Sequence, residues 1–143
     1  MIKIRKAKPG DEAGIHQLIK ELATYEKAPN EVTNTIGELR QHLFEEEICY
    51  ALVALENNRI IGFSLYYMSY STWKGKCLYL EDFYVQPAHR KRGIGELLFN
   101  QTIEIAKSIQ AKRMDWQVLS WNEIAINFYE KQGTTLDSGW IQG

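Results

Sequence analysis

Residues 80–98 read LEDFYVQPAHRKRGIGELL, in which an apolar, β-prone segment is followed by a short basic loop and a helical pattern. The predicted helix begins near Gly93 and Gly95, which lack the Cβ atoms that would keep a ligand away from the backbone. The first N–H groups of a helix have no intrahelical partner, and the helix dipole adds partial positive charge there. This strand–loop–helix connection therefore predicts a seat for a phosphate or pyrophosphate group.

The glycine pattern differs from the two common phosphate-binding motifs. A P-loop has Gly-Lys-Ser/Thr after its glycines, and the dinucleotide-binding motif has its first glycine where Arg90 stands in this chain. The order here is Arg-x-x-Gly-x-Gly. An ordinary connection with a solvated basic loop is the alternative interpretation, and the remaining sequence has to distinguish the two.

The composition is that of a single globular domain. The chain has 143 residues, of which 45% are hydrophobic and 24% charged, and a chain of this length can bury a core. A net charge of −1 disfavours a general nucleic-acid-binding protein, which usually carries a broad basic surface. We find no apolar run that would span a bilayer and no signal-peptide layout. We therefore expect one cytoplasmic domain over residues 1–143 that binds neither nucleic acid nor membrane.

The cysteines and histidines give no indication of a metal site. Cys49 and Cys77 lie in strand-like segments without metal-ligand spacing, and reduced, buried thiols are the preferred interpretation. His16 and His42 lie on predicted helices and do not cluster with carboxylates or cysteines. His89 lies in the basic loop, where contact with a cofactor stays open. No Ser-His-Asp arrangement supports a hydrolase.

Hydrophobic periodicity predicts the element order β-α-α-β-β-β-α-β-α. We expect Thr35 and Glu38 to form a capping box, with Ile36, Leu39 and Leu43 on the buried side of the second helix. In chain order, the predicted elements are a strand at 1–8, a helix with Pro9 in its first position that ends at Tyr25, the short helix from Thr35, strands at 50–55, 60–70 and 77–85, a helix at 93–109, a strand at 113–119, a helix at 122–131 closed by Gly133, and a final short strand near 136–141.

Turn signals and crossover rules predict the topology. Asn57 and Asn58 mark a tight hairpin, and strands joined by tight turns are antiparallel. The two strands joined through the 93–109 helix should be parallel, by the right-handed crossover rule. The predicted fold class is therefore α/β, with a mixed, mostly antiparallel central sheet covered by helices on both faces.

Five stretches carry a resemblance to a known family: residues 18–26 (LIKELATYE), 62–67 (GFSLYY), 79–85 (YLEDFYV), 90–95 (RKRGIG) and 121–129 (WNEIAINFY). With the element order above, the chain resembles the GCN5-related N-acetyltransferase (GNAT) superfamily. Within it, the chain is similar to the spermidine/spermine and thialysine acetyltransferase branch. The resemblance implies a sheet that is splayed between its two parallel strands, and an acetyl-CoA-dependent N-acetyltransferase.

The resemblance also implies which residues hold acetyl-CoA, and it implies no metal. The diphosphate would lie on the basic loop and the helix start, that is on Arg90, Lys91, Arg92, Gly93, Ile94 and Gly95. The pantetheine arm would pair with backbone groups freed at the end of the preceding strand, at Phe83, Tyr84 and Val85. Asn122 and Tyr129 would meet the cofactor from the other side of the splay.

Acetyl transfer to an amine needs a neutral nitrogen, a polarised carbonyl and a protonated leaving thiolate. We assign Glu81 as the base, acting directly or through water, and Tyr129 as the general acid, because a phenol is protonated at neutral pH. A backbone N–H near Phe83 or Val85 is the candidate for polarising the carbonyl. Asp82 points to the opposite face if strand pairing is regular. The alternatives are structural or solvated carboxylates, and a tyrosine that only packs on the sheet.

The expected acceptor is a small cationic amine, either a polyamine, a diamine or a lysine-like compound. Such a substrate favours a site of carboxylates and aromatic faces, and the resemblance provides these at Tyr25, Glu26, Trp73, Glu81 and Asp82. A protein or peptide N-acetyltransferase and a non-catalytic acetyl-CoA-binding sensor are the alternatives. The same branch implies a homodimer.

Overall fold

The computed structural model describes residues 1–90 and 92–133. Within these residues the strands are β1 (Ile2–Lys6), β2 (Tyr50–Glu56), β3 (Arg59–Ser71), β4 (Gly75–Val85) and β5 (Met114–Asp115). The helices are α1 (Glu12–Tyr25), α2 (Ile36–Arg40), α3 (Ile94–Ser108) and α4 (Glu123–Lys131). This order confirms the predicted one. Lys91 and the strand predicted near 136–141 lie outside the described residues.

The strands form one sheet in the order β1-β2-β3-β4-β5. All neighbours are antiparallel except β4 and β5, which are parallel, so the predicted topology is confirmed. Asn57 and Asn58, between β2 and β3, have φ values of 53° and 64°. Two successive residues in this left-handed region form the tight turn that suits the twist of a hairpin.

Helices cover both faces of the sheet, as predicted. One face packs against α1 and α2, in a core made of Ile15, Leu18, Leu39, Leu43, Val53, Phe63, Leu65 and Tyr84. The other face packs against α3 and α4, in a core made of Leu52, Leu78, Leu80, Ile94, Leu98, Phe99 and Tyr129. Each helix therefore presents its apolar stripe to the sheet.

The starts of the first two helices differ in part from the prediction. Pro9 is not in the first turn of α1, because Asp11 forms a turn ahead of the helix by binding Arg5 (2.6 Å) and the Lys8 N–H (2.8 Å). Thr35 does cap α2, and its hydroxyl oxygen accepts the Glu38 N–H at 3.1 Å. Ile36, expected to be buried, is 44% exposed, because α2 is short and its first residue does not reach the core.

The last strand is shorter than predicted. Residues 113–119 were expected to be β, but pairing with β4 is confined to Leu78–Met114 and Tyr79–Asp115. Trp116 then turns its side chain into the core between the sheet and α3, which draws the chain away from β4. Among the described residues, no strand pairs with residues 80–85 on this side. We call the opening between residues 80–85 and 116–119 the seam.

A β-bulge interrupts β4 at Glu81. Leu65 of β3 lies opposite Asp82, whereas the next residue, Tyr66, lies opposite Leu80, so Glu81 is the extra residue. Cross-strand partners share a face of the sheet. Asp82 therefore lies on the same face as Leu65, which packs toward α1 and α2. The simple alternation of residues 81 and 82 that regular pairing would give does not hold.

A buried pair of hydroxyl groups joins the sheet to α3. Ser64 Oγ and Thr102 Oγ1 lie 2.9 Å apart, and Thr102 also donates a hydrogen bond to the Leu98 carbonyl at 2.9 Å. Neither Ser64 nor Thr102 has any solvent exposure. The Ser64 hydroxyl therefore depends on Thr102 for a partner.

We expect Thr102→Val to lower the free energy of unfolding by about 1–3 kcal/mol, since Ser64 then keeps a buried hydroxyl without that partner. Urea unfolding measures the change. In the double variant Ser64→Ala/Thr102→Val both hydroxyls are absent, and we expect a smaller loss than the sum of the two single losses. Strictly additive losses would show that the two hydroxyls do not interact.

Candidate active site

An aromatic cluster lies on the α3–α4 side of the seam. The ring of Phe83, on β4, stacks on that of Phe128, on α4, with 5.5 Å between centroids. The Tyr129 and Trp116 rings lie 5.1 Å apart. Phe99 of α3 lies 5.6 to 5.8 Å from each of these four rings. The cluster provides an apolar wall from which water is largely excluded.

Tyr129 is held in this wall with 6% of its surface exposed. Burial raises the pKa of its phenol well above the usual value, and the negative charges of Glu26 and Asp82 raise it further. The hydroxyl is therefore protonated throughout the neutral range. A protonated phenol beside carboxylates is a proton donor with the correct charge state for a departing anion.

Three carboxylates belong to the side of the sheet that faces α1. Glu26 follows the last residue of α1, and burial raises its pKa. Burial raises the pKa of Asp82 to about 7, and the charges of Glu81 and Glu26 add to the effect. Glu81 is exposed and lies beside Tyr67, whose pKa it helps to raise. The bulge and the end of α1 thus gather carboxylates, of which Glu26 and Asp82 are close enough to act on Tyr129.

Tyr25 and Asn122 join the end of α1 to the start of α4. The Tyr25 hydroxyl donates to Asn122 Oδ1 at 3.2 Å, and the same oxygen accepts the Ala125 N–H at 3.2 Å as the N-cap of α4. The Tyr25 ring lies 6.1 Å from that of Trp121. Asn122, predicted to contact the cofactor arm, has its side-chain oxygen committed to these two bonds. No local sequence pattern predicts the hydrogen bond between Tyr25 and Asn122, because the two residues are far apart in the chain.

The Arg90 side chain is half-buried and packs against the protein instead of extending into solvent. Its Nε donates to the Val85 carbonyl at 2.9 Å, and its guanidinium lies 5.5 Å and 5.7 Å from the ring centres of Tyr25 and Tyr84. Arg90 thereby ties the basic loop to the end of β4 and to α1. Its predicted contact with phosphate has to compete with these contacts.

Arg92 is also held by the protein itself. Its guanidinium pairs with Glu56 at the end of β2, with Nη1 3.1 Å from Oε1, and His89 Nδ1 lies 3.4 Å from the same carboxylate. Sequence reasoning missed Glu56, since a lone acidic residue at the end of a strand gives no local signal. The pair fixes the loop in front of α3 to the β2–β3 hairpin.

The start of α3 keeps the features predicted for an anion seat. Gly93 occupies the N-cap position with φ 77°, a left-handed conformation that favours glycine. A Cβ at Gly95 would lie 3.5 Å from the Phe128 ring, so this turn of α3 packs closely on the aromatic cluster. The first N–H groups of this 15-residue helix have no intrahelical acceptor and are available to an anion.

A family model described as the acetyltransferase (GNAT) family matches residues 14–134. The chain belongs to the GNAT acetyltransferase family. It is therefore an acetyltransferase, and the predicted family and enzyme class are confirmed.

Individual relatives and a solved structure show which acetyltransferases this GNAT chain is similar to. It is 37% identical to a thialysine N-epsilon-acetyltransferase of Bos taurus, over 97% of this chain and 89% of the relative. It is 36% identical to spermidine/spermine N(1)-acetyltransferase-like protein 1 of Homo sapiens, over 96% of this chain but 21% of that longer relative. A solved aminoglycoside acetyltransferase from an uncultured soil metagenomic sample shares the fold, with a TM-score of 0.83 and 22% identity over 99% of this chain and 93% of that chain.

Not every predicted site residue of this GNAT chain lies at the seam. Trp73 lies in the turn between β3 and β4, at the opposite end of β4 from the bulge, and is 92% exposed. Its contact with the acceptor stays a prediction.

Residues 1–90 and 92–133 contain no group of three or more His, Cys, Asp or Glu side chains that could hold a metal ion. None of the described helices is long and apolar enough to cross a membrane.

We expect Glu56→Gln to raise the KM for acetyl-CoA by about two- to five-fold at unchanged kcat, because an exposed ion pair that positions the loop is lost. Steady-state kinetics with acetyl-CoA as the varied substrate measure the effect. Glu104→Gln is the matched control, since Glu104 forms an ion pair within α3 (3.5 Å to Lys107) that does not involve the loop. An equal KM for wild type and Glu56→Gln would contradict the positioning role.

Proposed function

We propose that this chain transfers the acetyl group of acetyl-CoA to a primary amine of a small cationic acceptor, by direct attack in a ternary complex. A polyamine, a diamine or a lysine-like compound is the proposed acceptor. The observation that carries the proposal is the seam itself. Along it, a phenol held in the protonated state lies near a cluster of carboxylates.

The described residues fit acetyl-CoA. Among residues 1–90 and 92–133, no strand pairs with residues 80–85 on the seam side, and the backbone groups of this edge suit the amide-containing pantetheine arm. The helix start at Gly93 and Ile94 suits the diphosphate. When bound there, acetyl-CoA supplies a thioester whose acetyl carbon accepts the amine. The side chains of Arg90 and Arg92 would support this site chiefly by holding the loop in place.

Tyr129 is the proposed general acid. Its hydroxyl lies in an apolar wall and keeps its proton at neutral pH, so it can donate that proton to the leaving sulfur. The proposed polarising group is a backbone N–H at Phe83 or Val85, since a fixed donor stabilises the developing oxyanion without reorganisation.

The carboxylates Glu26, Glu81 and Asp82 suit a cationic acceptor. Their combined negative charge attracts an ammonium group, and the rings of Tyr25 and Tyr67 add faces that favour cations. Glu81, predicted as the base, and Asp82 are neighbours at the bulge, and one of the pair would receive the proton of the amine. The similarity to thialysine and spermidine/spermine acetyltransferases supports an acceptor of this class.

A homodimer is the proposed assembly. Support comes from the β3–β4 hairpin, where Tyr70 and Trp73 are 77% and 92% exposed, a surface that a second copy would cover. Light scattering after size exclusion should give twice the mass of one chain.

The proposed reaction is tested by coenzyme A release from acetyl-CoA with spermidine, spermine, putrescine, thialysine, lysine and a short peptide. We expect release with the small amines and none with the peptide. Release with the peptide alone would contradict the proposed acceptor. Tight binding of acetyl-CoA without release to any acceptor would identify a sensor and contradict catalysis.

We expect Tyr129→Phe to lower kcat by about 100-fold or more, because the proton donor is lost, while the KM for acetyl-CoA changes little. Steady-state kinetics with the best amine measure both constants. Tyr50→Phe removes a partly exposed hydroxyl at the start of β2 and is the matched control. Full turnover by Tyr129→Phe would remove Tyr129 from the mechanism.

A further inference from the structure

We propose that Tyr25 is a positioning residue for the acid step of the reaction. Its hydroxyl holds the start of α4 through Asn122, and thereby sets where the Tyr129 hydroxyl meets the leaving sulfur. This inference rests on the proposed acetyl transfer and deepens it. Sequence analysis gives Tyr25 only as an aromatic face for the acceptor, whereas the structure gives its hydroxyl and its ring separate protein partners.

The Tyr25 hydroxyl contacts the side chain on which α4 begins. It donates to Asn122 Oδ1 at 3.2 Å, and the same oxygen accepts the Ala125 N–H as the N-cap of the helix. Asn122 is buried, with 7% of its surface exposed. An N-cap side chain partners one of the free N–H groups of a helix and fixes where the helix starts. The hydroxyl therefore holds the N-cap in place.

The helix that starts at this cap carries the proposed acid. Tyr129 lies seven residues beyond Asn122, which is two helical turns or about 10 Å along the axis. A helix as short as α4, with nine residues, depends on its caps and its packing. A general acid has to reach its target within hydrogen-bond distance, and a misplacement of about 1 Å can cost about 100-fold in rate. The position of the cap therefore matters for proton transfer.

The ring of Tyr25 connects the same helix start to the end of β4. The Arg90 guanidinium lies 5.5 Å from the ring centre, and Arg90 Nε donates to the Val85 carbonyl at 2.9 Å. We call the series Val85–Arg90–Tyr25–Asn122 the brace. It joins the strand that holds the candidate polarising N–H groups to the helix that holds the acid, so it spans the two walls between which the thioester would lie.

A second link between the same two elements is the stack of Phe83 on Phe128. Aromatic pairs tolerate centroid distances of about 4.5–7 Å, so such a stack permits small sliding movements. A hydrogen bond weakens steeply as its angle departs from linear. The stack therefore closes the core, whereas the hydroxyl of Tyr25 sets the position of the α4 start more narrowly.

Tyr25→Phe separates the hydroxyl from the ring, since it removes the bond to Asn122 and keeps the ring beside Arg90. We expect kcat to fall by about five- to ten-fold, while the KM values for acetyl-CoA and for the amine stay unchanged. Steady-state kinetics with both substrates varied measure these constants. A raised KM for the amine at unchanged kcat would show that the hydroxyl binds the acceptor, and would overturn the inference.

A double-mutant cycle tests whether the hydroxyl acts through Asn122. In an Asn122→Ala background, Tyr25→Phe should lower kcat no further, because the partner of the hydroxyl is already absent. Losses in kcat that multiply would show independent actions and would overturn the inference. Tyr50→Phe, at the partly exposed start of β2, is the matched control and should change neither kcat nor KM.

Amide hydrogen exchange followed by NMR tests the brace without any turnover. In Tyr25→Phe, the Ala125 N–H should exchange about five-fold faster, because its acceptor on Asn122 is less firmly held, while the amides of α3 keep their rates. An unchanged rate at Ala125 would overturn the inference, and this measurement decides if Asn122→Ala does not fold. It also separates the brace from the proposed function, which fails if wild type releases no coenzyme A with any amine of the panel.

Discussion

The short contact between β4 and β5 is the constraint on which the site depends. Two residue pairs, Leu78–Met114 and Tyr79–Asp115, hold the strands together, and beyond them the chain after β5 is drawn into the core by Trp116. Backbone groups in a protein interior need partners. The edge of residues 80–85, beside which the described residues place no strand, is therefore the proposed place for an extended ligand with amide groups.

The two sides of this opening have opposite chemistry, and the proposed function depends on that contrast. On one side, packed rings keep the Tyr129 phenol protonated. On the other, a bulge and the end of α1 gather Glu26, Glu81 and Asp82. Environments that push the pKa values of neighbouring groups apart are a common way to assign acid and base roles at one pH. The basic loop completes the arrangement by fixing where α3 begins, through Arg90 and Arg92.

The sequence predicted the element order, the sheet topology and the family because these depend on local signals. Asn57 and Asn58 marked a hairpin, Thr35 marked a helix start, and the glycines at 93 and 95 marked the start of α3. The length of β5 was overestimated, because Trp116 and Val118 pack against the core instead of continuing the pairing with β4. The bulge at Glu81 could not be predicted, since an extra residue in one strand shows only against its partner.

The internal contacts of the basic loop could not be predicted from the sequence either, because Arg90 contacts Tyr25 and Arg92 contacts Glu56 across long stretches of chain.

Binding of coenzyme A at the seam is most directly tested by NMR, with backbone amide shifts followed during a titration. The largest shifts should appear at residues 81–85 and at the α3 start, Gly93 to Gly95, with none at the hairpin around Trp73. Shifts confined to another surface, or no shifts at saturating coenzyme A, would contradict the central claim.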